Sequence, residues 1–393
     1  MRFTTKLATI NSKTLISYRF TIWTVLLLLT NVGPAVAEHR PTDLLNDLPD
    51  RKWMLVDLGG VTAPLGILAY SGGWYDPDAH QFCIFGGGHY NYSGNEVWCF
   101  DIAALKWREM YPADVVTDPP YNGADQGAYN NYDNENYPGA LFHPAGEGIA
   151  DARPMSRHSY DQLEYVNGYG AVAWGGYTWG DSQTPWCNRC MDTWVFNFAD
   201  AAWTFLYNGK NPSPNEVAGS GASAYSSRDG ILFAKVLQET WSYDPKKNTW
   251  RKLSTRGNPP WSIEGTLEYD PTHSKLYYFG GNYEVNHTLW EFDIPGRRWQ
   301  SLQPKGSGPN GESNNGPGLA YDTKNDVLAV YFGGTIWIYD VSAEQWETIR
   351  PDVRPTDSSY VFGRFRYDPV NNGFWLHASE DGRHATWFFR YQH

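Results

Sequence analysis

Six times this chain writes Trp-x-aromatic: Trp98/Phe100, Trp194/Phe196, Trp241/Tyr243, Trp290/Phe292, Trp337/Tyr339 and Trp387/Phe389. Five times a second Trp follows nine residues after the first, at Trp107, Trp203, Trp250, Trp299 and Trp346. A sixth partner would fall beyond His393, but an isolated Trp53 stands near the other end, in Lys52-Trp53-Met54-Leu55-Val56. These twelve are most of the nineteen tryptophans, so the repeat and not chance composition accounts for them. A unit repeated at this period specifies a radial or stacked array. The displaced sixth Trp predicts that the ring closes by pairing the two ends of the chain.

Each unit carries more than tryptophan. An apolar run ending in glycines precedes the Trp-x-aromatic: Phe82 to Gly87, Ala171 to Gly176, Leu276 to Gly281 and Leu328 to Gly334. Before that comes a turn signal, Tyr75-Asp76-Pro77, Tyr269-Asp270-Pro271, Tyr321-Asp322-Thr323 or Tyr367-Asp368-Pro369. Asp bonds its own backbone and Pro presets φ, which suits a tight turn. Short runs rich in Tyr, Val, Phe and Trp between turns read as strands. One unit is therefore strand, turn, strand ending in Gly-Gly, strand with Trp-x-aromatic, short turn, strand opened by Trp. From Trp194 onward the units are about equal in length, but Trp98 and Trp194 lie about two units apart. The segment from Tyr111 to about Arg157 is rich in Asn, Asp, Gly, Pro and Tyr and holds no paired apolar runs. It reads as one long insertion in a six-bladed ring; a seventh blade hidden there is the alternative.

This combination resembles kelch repeats, the β-propeller blades also found in the central domain of galactose-oxidase-like proteins. The resemblance covers residues 52–393 and implies an all-β, six-bladed propeller. Two units depart from the pattern, with Ala234-Lys235 and Ala378-Ser379 where Gly-Gly would stand, which puts the local turn in question. Four-stranded blades around a channel leave only short, protected edges, and lending Trp53 to the last blade blocks the remaining one.

Lys6, Lys13 and Arg19 precede an apolar core, Ile22 to Leu29, followed by Ala35-Val36-Ala37. Basic, apolar, then small-x-small is an export signal, here residues 1–37, followed by a lead over 38–51. The apolar run is short for a stable membrane span. Losing Arg2, Lys6, Lys13 and Arg19 would take the net charge from -12 to -16. So acidic a chain is not built to neutralise nucleic-acid phosphates. A secreted or periplasmic location suits disulfides. If Gly87 faces Asn95 across the connection, Cys83 faces Cys99, which predicts a cross-strand disulfide. Cys187 and Cys190 read as a small disulfide clip, with no metal assigned to them.

Strand polarity puts the connections after Gly-Gly and those between blades on one face, with the Tyr-Asp-Pro turns on the other. All the long segments fall on the first face, where elaborated loops on a rigid scaffold carry function. His89, Tyr90 and Tyr92 follow the first blade's glycines, and Arg157, His158 and Tyr160 are expected to open the second blade's innermost strand. Ring closure adds Arg383 and His384, and Glu264, Asn314, Asn315 and Tyr360 approach from other inner strands. His89, His158 and Tyr160 are the candidate catalytic groups. Arg157, Tyr90, Tyr92, Glu264 and His384 are the candidate substrate-binding groups. Asn131 to Asn136 offers oxygens that would suit a structural calcium if it is not simply a solvated insertion. Asn91-Tyr92-Ser93 and Asn286-His287-Thr288 are glycan acceptor sequons; a glycan at Asn91 would crowd His89.

Propellers host binding and catalysis alike, so function must be read from the site. One reading is a carbohydrate-active enzyme for an acidic glycan of uronate or sialate type. A His or Tyr would move a proton and an Arg would hold the carboxylate. Exported propeller lyases and a kelch family that epimerises sialic acid share this architecture with the chain. The other reading is a non-catalytic module binding glycans or proteins on the same face. A copper oxidase would need a Cys-Tyr thioether, yet each Cys here has a Cys partner in prospect. No cofactor is implied.

Overall fold

The computed structural model describes residues 42–56, 63–87, 94–113, 153–154, 156–178, 192–206, 220–281, 288–309, 316–356 and 360–393. Six four-stranded antiparallel sheets form the blades of a propeller, as the repeat predicts, and no seventh is present among the described residues. Blade 1 is Gly72–Asp76, Gln81–Phe85, Trp98–Asp101 and Lys106–Glu109. Blade 2 is Leu163–Val166, Gly170–Trp174, Thr193–Asn197 and Ala202–Phe205. Blades 3, 4 and 5 begin with inner strands Ala222–Ser226, Gly265–Asp270 and Gly318–Asp322. Blade 6 takes Phe365–Asp368, Gly373–Glu380 and Arg383–Arg390 from the end of the chain and Lys52–Leu55 from its start. The predicted export signal at 1–37, the predicted calcium segment at 131–136, and Cys187 and Cys190 lie outside the described residues. No helix among the described residues is long and apolar enough to cross a membrane.

The repeat tryptophans explain the register. Trp107, Trp203, Trp250, Trp299 and Trp346 each stand opposite the aromatic of their own Trp-x-aromatic. Trp53 stands opposite Phe389 in the same relation, so the borrowed strand is the sixth instance of the pattern. Each of these indoles also reaches back to the preceding blade. Trp107 lies 4.6 Å from His377, Trp203 5.1 Å from Phe85, Trp250 5.3 Å from Trp174, and Trp53 5.3 Å from Tyr331, between ring centroids. Three of the indole N–H groups donate to a threonine placed just before the preceding blade's Trp: Trp107 to Thr386, Trp250 to Thr193 and Trp299 to Thr240. Val97, Leu289 and Ile336 hold that place elsewhere. Trp203 bonds Tyr111 instead, while the buried Trp53 Nε1 has no partner.

Cys83 and Cys99 are directly paired across adjacent strands and form the expected disulfide. Where Gly-Gly is missing, the two strands simply run on. Strand Ile231–Val236 turns through Leu237-Gln238 into Glu239–Asp244, and Gly373–Glu380 turns through Asp381-Gly382 into Arg383–Arg390. Leu237, Asp381 and Gly382 take positive φ, as a two-residue hairpin demands. In blades 1, 2 and 4 the glycines mark where the blade opens into a longer connection, whereas in blade 5 Gly333-Gly334 are themselves the two-residue turn between Val327–Phe332 and Thr335–Asp340. At Gly176, with φ +93°, a Cβ would come 2.7 Å from the His158 carbonyl.

A charged pin crosses the channel. Arg366, from the inner strand of blade 6, pairs with Asp161 and Glu164 of blade 2 at 3.2 Å each and with Glu268 of blade 4 at 3.3 Å. It also donates to the Gly73 carbonyl of blade 1, and Asp161 accepts from the Leu267 N–H of blade 4 at 2.8 Å. One guanidinium thus ties four blades across the axis. Burial pushes Asp161 and Glu268 up to about 7 against the pull of Arg366, and pushes Glu164 well up for the same reason.

Two outcomes are expected. Trp53→Ala lowers the urea-unfolding free energy by about 3–5 kcal/mol, and deleting residues 51–56 leaves an insoluble or readily proteolysed chain; a truncated protein melting with its parent would contradict the closure. For the pin, a raised carboxyl pKa contributes stability that is full below the unfolded value and is lost as pH rises through about 7. Glu268→Gln removes that loss, so its unfolding free energy relative to the parent should climb by up to about 3 kcal/mol between pH 5 and 8.

Candidate functional site

Each inner strand is entered through one equivalent position, five residues ahead of its tyrosine: Tyr70, Tyr160, Ser220, Glu264, Gly316 and Phe362. Five of these have positive φ, at 51°, 48°, 63°, 60° and 49° for Tyr70, Tyr160, Glu264, Gly316 and Phe362. Only one is glycine, so the other four side chains are held in a conformation that costs on the order of 1 kcal/mol or more each. Neighbouring blades hold them there. The Tyr160 N–H donates to the Tyr70 carbonyl at 2.9 Å, Glu264 N–H to Ser220 Oγ at 2.8 Å, Gly316 N–H to the Glu264 carbonyl at 2.9 Å, and Phe362 N–H to the Gly316 carbonyl at 3.1 Å. These positions lie where the chain enters each inner strand, on the face that carries the connections between blades.

Aromatic rings converge on one side of that mouth. Tyr70 stacks on His158 with centroids 4.3 Å apart and leans on Tyr360 at 4.2 Å. Tyr160 stands edge-on to Tyr70, His158, Tyr177 and Phe362. His158 Nδ1 lies 3.3 Å from Tyr160 Oη. Burial first, then the Glu264 charge, raises the Tyr160 phenol far above its ordinary value. Tyr70 is raised by burial, by its bond with Tyr360 and by Glu264. Both phenols therefore stay protonated at neutral pH, and the half-buried Glu264 lies near enough for its charge to raise both. Tyr70 and Phe362 were missed in the sequence because they lie outside every motif. The five-residue offset from the tyrosine of each inner strand is the signal that finds them.

The structure separates residues that the sequence grouped. Arg157 and His158 do not open the inner strand; they pair with Thr178 and Tyr177 in a two-stranded ribbon. One extra residue between His158 and Leu163, relative to Ala173–Tyr177 opposite, makes this a bulged continuation of the blade 2 hairpin. Arg157 is 1% exposed and meets Asp192 fork to fork, at 2.6 and 3.0 Å, with a further bond to the Gly175 carbonyl at 2.8 Å. Its guanidinium pins the ribbon to the glycine turn, so the carboxylate-holding role expected of it is corrected: an internal carboxylate already holds it.

His384 is a second correction. The hairpin of blade 6 runs past the absent Gly-Gly, so His384 pairs with Ser379 inside a strand rather than lying on a loop. Its ring packs on Trp107 at 4.7 Å, and Nδ1 lies 3.1 Å from the Ala63 carbonyl. Burial, assisted by Arg364, pushes it down to about 3. It is a neutral ring of the seam between blades 6 and 1, beside the fully buried His377, and not a substrate group. His89, Tyr90 and Tyr92 lie outside the described residues, as do Asn314 and Asn315.

Two further clusters were not anticipated. Lys235, at one of the missing Gly-Gly positions, is buried with Nζ 3.2 Å from Ser262 Oγ and 4.2 Å from the Tyr278 ring centre. Burial pushes its amine down to about 7. On the turn face, Asp270, His273 and Asp326 bring ligand atoms within 4.8 Å of one another, the one group among the described residues with a spacing that could hold a metal ion.

No protein family profile matches the chain. Over 56 residues it is 36% identical to an N-acetylneuraminate epimerase of Pasteurella multocida (strain Pm70), a match covering 14% of this chain and 13% of that protein. The chain thus matches about an eighth of that relative's length.

Removing Arg157 should be costly, because Asp192 stays buried without its partner. Arg157→Ala is expected to lower the unfolding free energy by about 3–5 kcal/mol, read by chemical denaturation. Little or no loss would return Arg157 to the list of groups available to a ligand.

Proposed function

We propose that the protein is an exported, kelch-type propeller enzyme that moves protons on an acidic sugar of the sialate or uronate class at the channel mouth. The observation that carries this reading is the ring cluster at the mouth, with Tyr70 stacked on His158 and His158 Nδ1 3.3 Å from Tyr160 Oη, and with the Glu264 charge near enough to raise both phenols. Epimerisation and elimination both begin by taking a proton from the sugar and giving one back. Glu264 is the accepting group and Tyr160 the donor, with His158 fixing the direction of the Tyr160 hydroxyl. Tyr70 and Tyr360 wall the site with rings suited to the apolar face of a pyranose. His89, Tyr90 and Tyr92 enter this reading from the sequence alone. The partial likeness to an N-acetylneuraminate epimerase favours the sialate class, and the basic-apolar-small N-terminus favours export.

One observation favours the second reading, a non-catalytic glycan-binding module. His158 and Tyr160 are only 3% and 4% exposed, which suits a wall as well as a working acid. The two readings part on turnover. The protein is expected to accelerate epimer interconversion of N-acetylneuraminate, followed by proton NMR, or to generate unsaturated products from acidic polysaccharides, followed by absorbance. Glu264→Gln and Tyr160→Phe should each lower the rate by about 10²–10⁴ with the melting temperature little changed. Binding without turnover would establish the module; neither binding nor turnover would remove the acidic sugar altogether.

A further inference from the structure

The other end of the channel is built as carefully as the mouth. A cavity of about 320 Å³ opens on the turn face and is walled by one tyrosine from every blade: Tyr75, Tyr165, Tyr225, Tyr269, Tyr321 and Tyr367. Pro77, Pro271 and Pro369 stiffen its rim, and Glu164, Glu268 and Arg366 line its floor. Four of the tyrosines are fastened by their hydroxyls to turn residues: Tyr75 to Asp368 at 3.0 Å, Tyr165 to Asp78 at 2.5 Å, Tyr321 to Asp326 at 2.5 Å and Tyr367 to Asn372 at 2.9 Å. Their rings are thereby preorganised, which lowers the cost of receiving a guest. Tyr269 differs. It is 6% exposed and its buried hydroxyl has no partner. A buried, unsatisfied hydroxyl costs about 1–3 kcal/mol unless something bonds it.

Charge selects the guest. Among the described residues, the two carboxylates of the floor, Glu164 and Glu268, share the single guanidinium of Arg366 with a third, Asp161, which lies outside the cavity lining. That leaves two negative charges without a cation when all three are ionised. Burial raises all three acids against the pull of Arg366, so a second cation beside them would favour their ionised forms. Tyrosine faces over a negative floor are the surroundings that attract an ammonium group, through the ring quadrupole and through Coulomb attraction together.

We propose that the turn-face end of the channel is a binding site for a small organic ammonium ion, which Glu164 and Glu268 hold from below and the six tyrosines enclose. The site does not depend on the sugar chemistry proposed for the mouth. Five residues of extended inner strand, on the order of 16 Å, separate the two.

Choline is the probe, and its uncharged carbon isostere 3,3-dimethylbutan-1-ol the control, both titrated into the full-length protein by calorimetry and by tyrosine fluorescence. Choline is expected to bind once per chain, and the isostere at least about tenfold more weakly. Glu268→Gln and Glu164→Gln, each checked for a native circular dichroism spectrum, should weaken choline by about tenfold or more. Tyr225→Leu, which leaves the charges in place, should weaken choline more than it weakens the isostere. Tyr160→Phe at the mouth should leave choline binding unchanged. No choline binding, equal binding of choline and isostere, or binding indifferent to both glutamate variants would overturn the proposal.

Discussion

The ring holds because each blade's outermost tryptophan lies on the blade before it. This one contact converts six separate sheets, none able to bury both faces alone, into a closed surface with no free seam. It also fixes the tilt between blades, since an indole set against an aromatic of its own sheet and a ring of the next has little freedom to slide. The indole N–H refines the contact where a threonine awaits it, as at Thr386, Thr193 and Thr240. The seam at Trp53 has isoleucine in that place and relies on packing against Tyr331, Trp387 and Phe389 instead.

The fold was almost wholly legible in the sequence because its information is repeated. One tryptophan shifted to the far end of the chain identified the closing strand, and the facing of Cys83 and Cys99 followed from strand register. The site was less legible, for reasons that particular residues make clear. Arg157 looked like a free cation because sequence does not show that Asp192, thirty-five positions later, folds back to meet it. His384 looked like a loop residue because the missing glycines were taken to disturb a turn, when their absence lengthens the hairpin and draws the ring into a seam. Tyr70, which leans on Tyr360 and feels the Glu264 charge, carries no motif of its own.

The inner strands give the channel two ends of different character. At one end the six equivalent entry positions hold a varied set: two phenols, a phenyl ring, a carboxylate, a hydroxyl and a bare glycine. At the other end the same strands repeat one residue, tyrosine, six times. Variation at equivalent positions is what a selective, asymmetric site requires, whereas repetition makes a symmetric enclosure. Between them the Arg366 pin keeps the strands from moving independently, so a ligand seated at either end meets a rigid frame.

The borrowed strand also sets a temporal order on folding. Lys52–Leu55 is made near the beginning of the chain, and its partner Arg383–Arg390 near the end. Loop closure across nearly the whole polypeptide is entropically the most demanding contact in the ring. Until the final strand is delivered, the first must wait unpaired, and blades 1 and 5 each lack the neighbour that completes them. A propeller fastened in this way stays open for as long as the chain is still being made, and shuts only once its last strand has emerged. The clasp that stabilises the finished ring thus doubles as a delay, keeping a large β-structure from locking before its last strand exists.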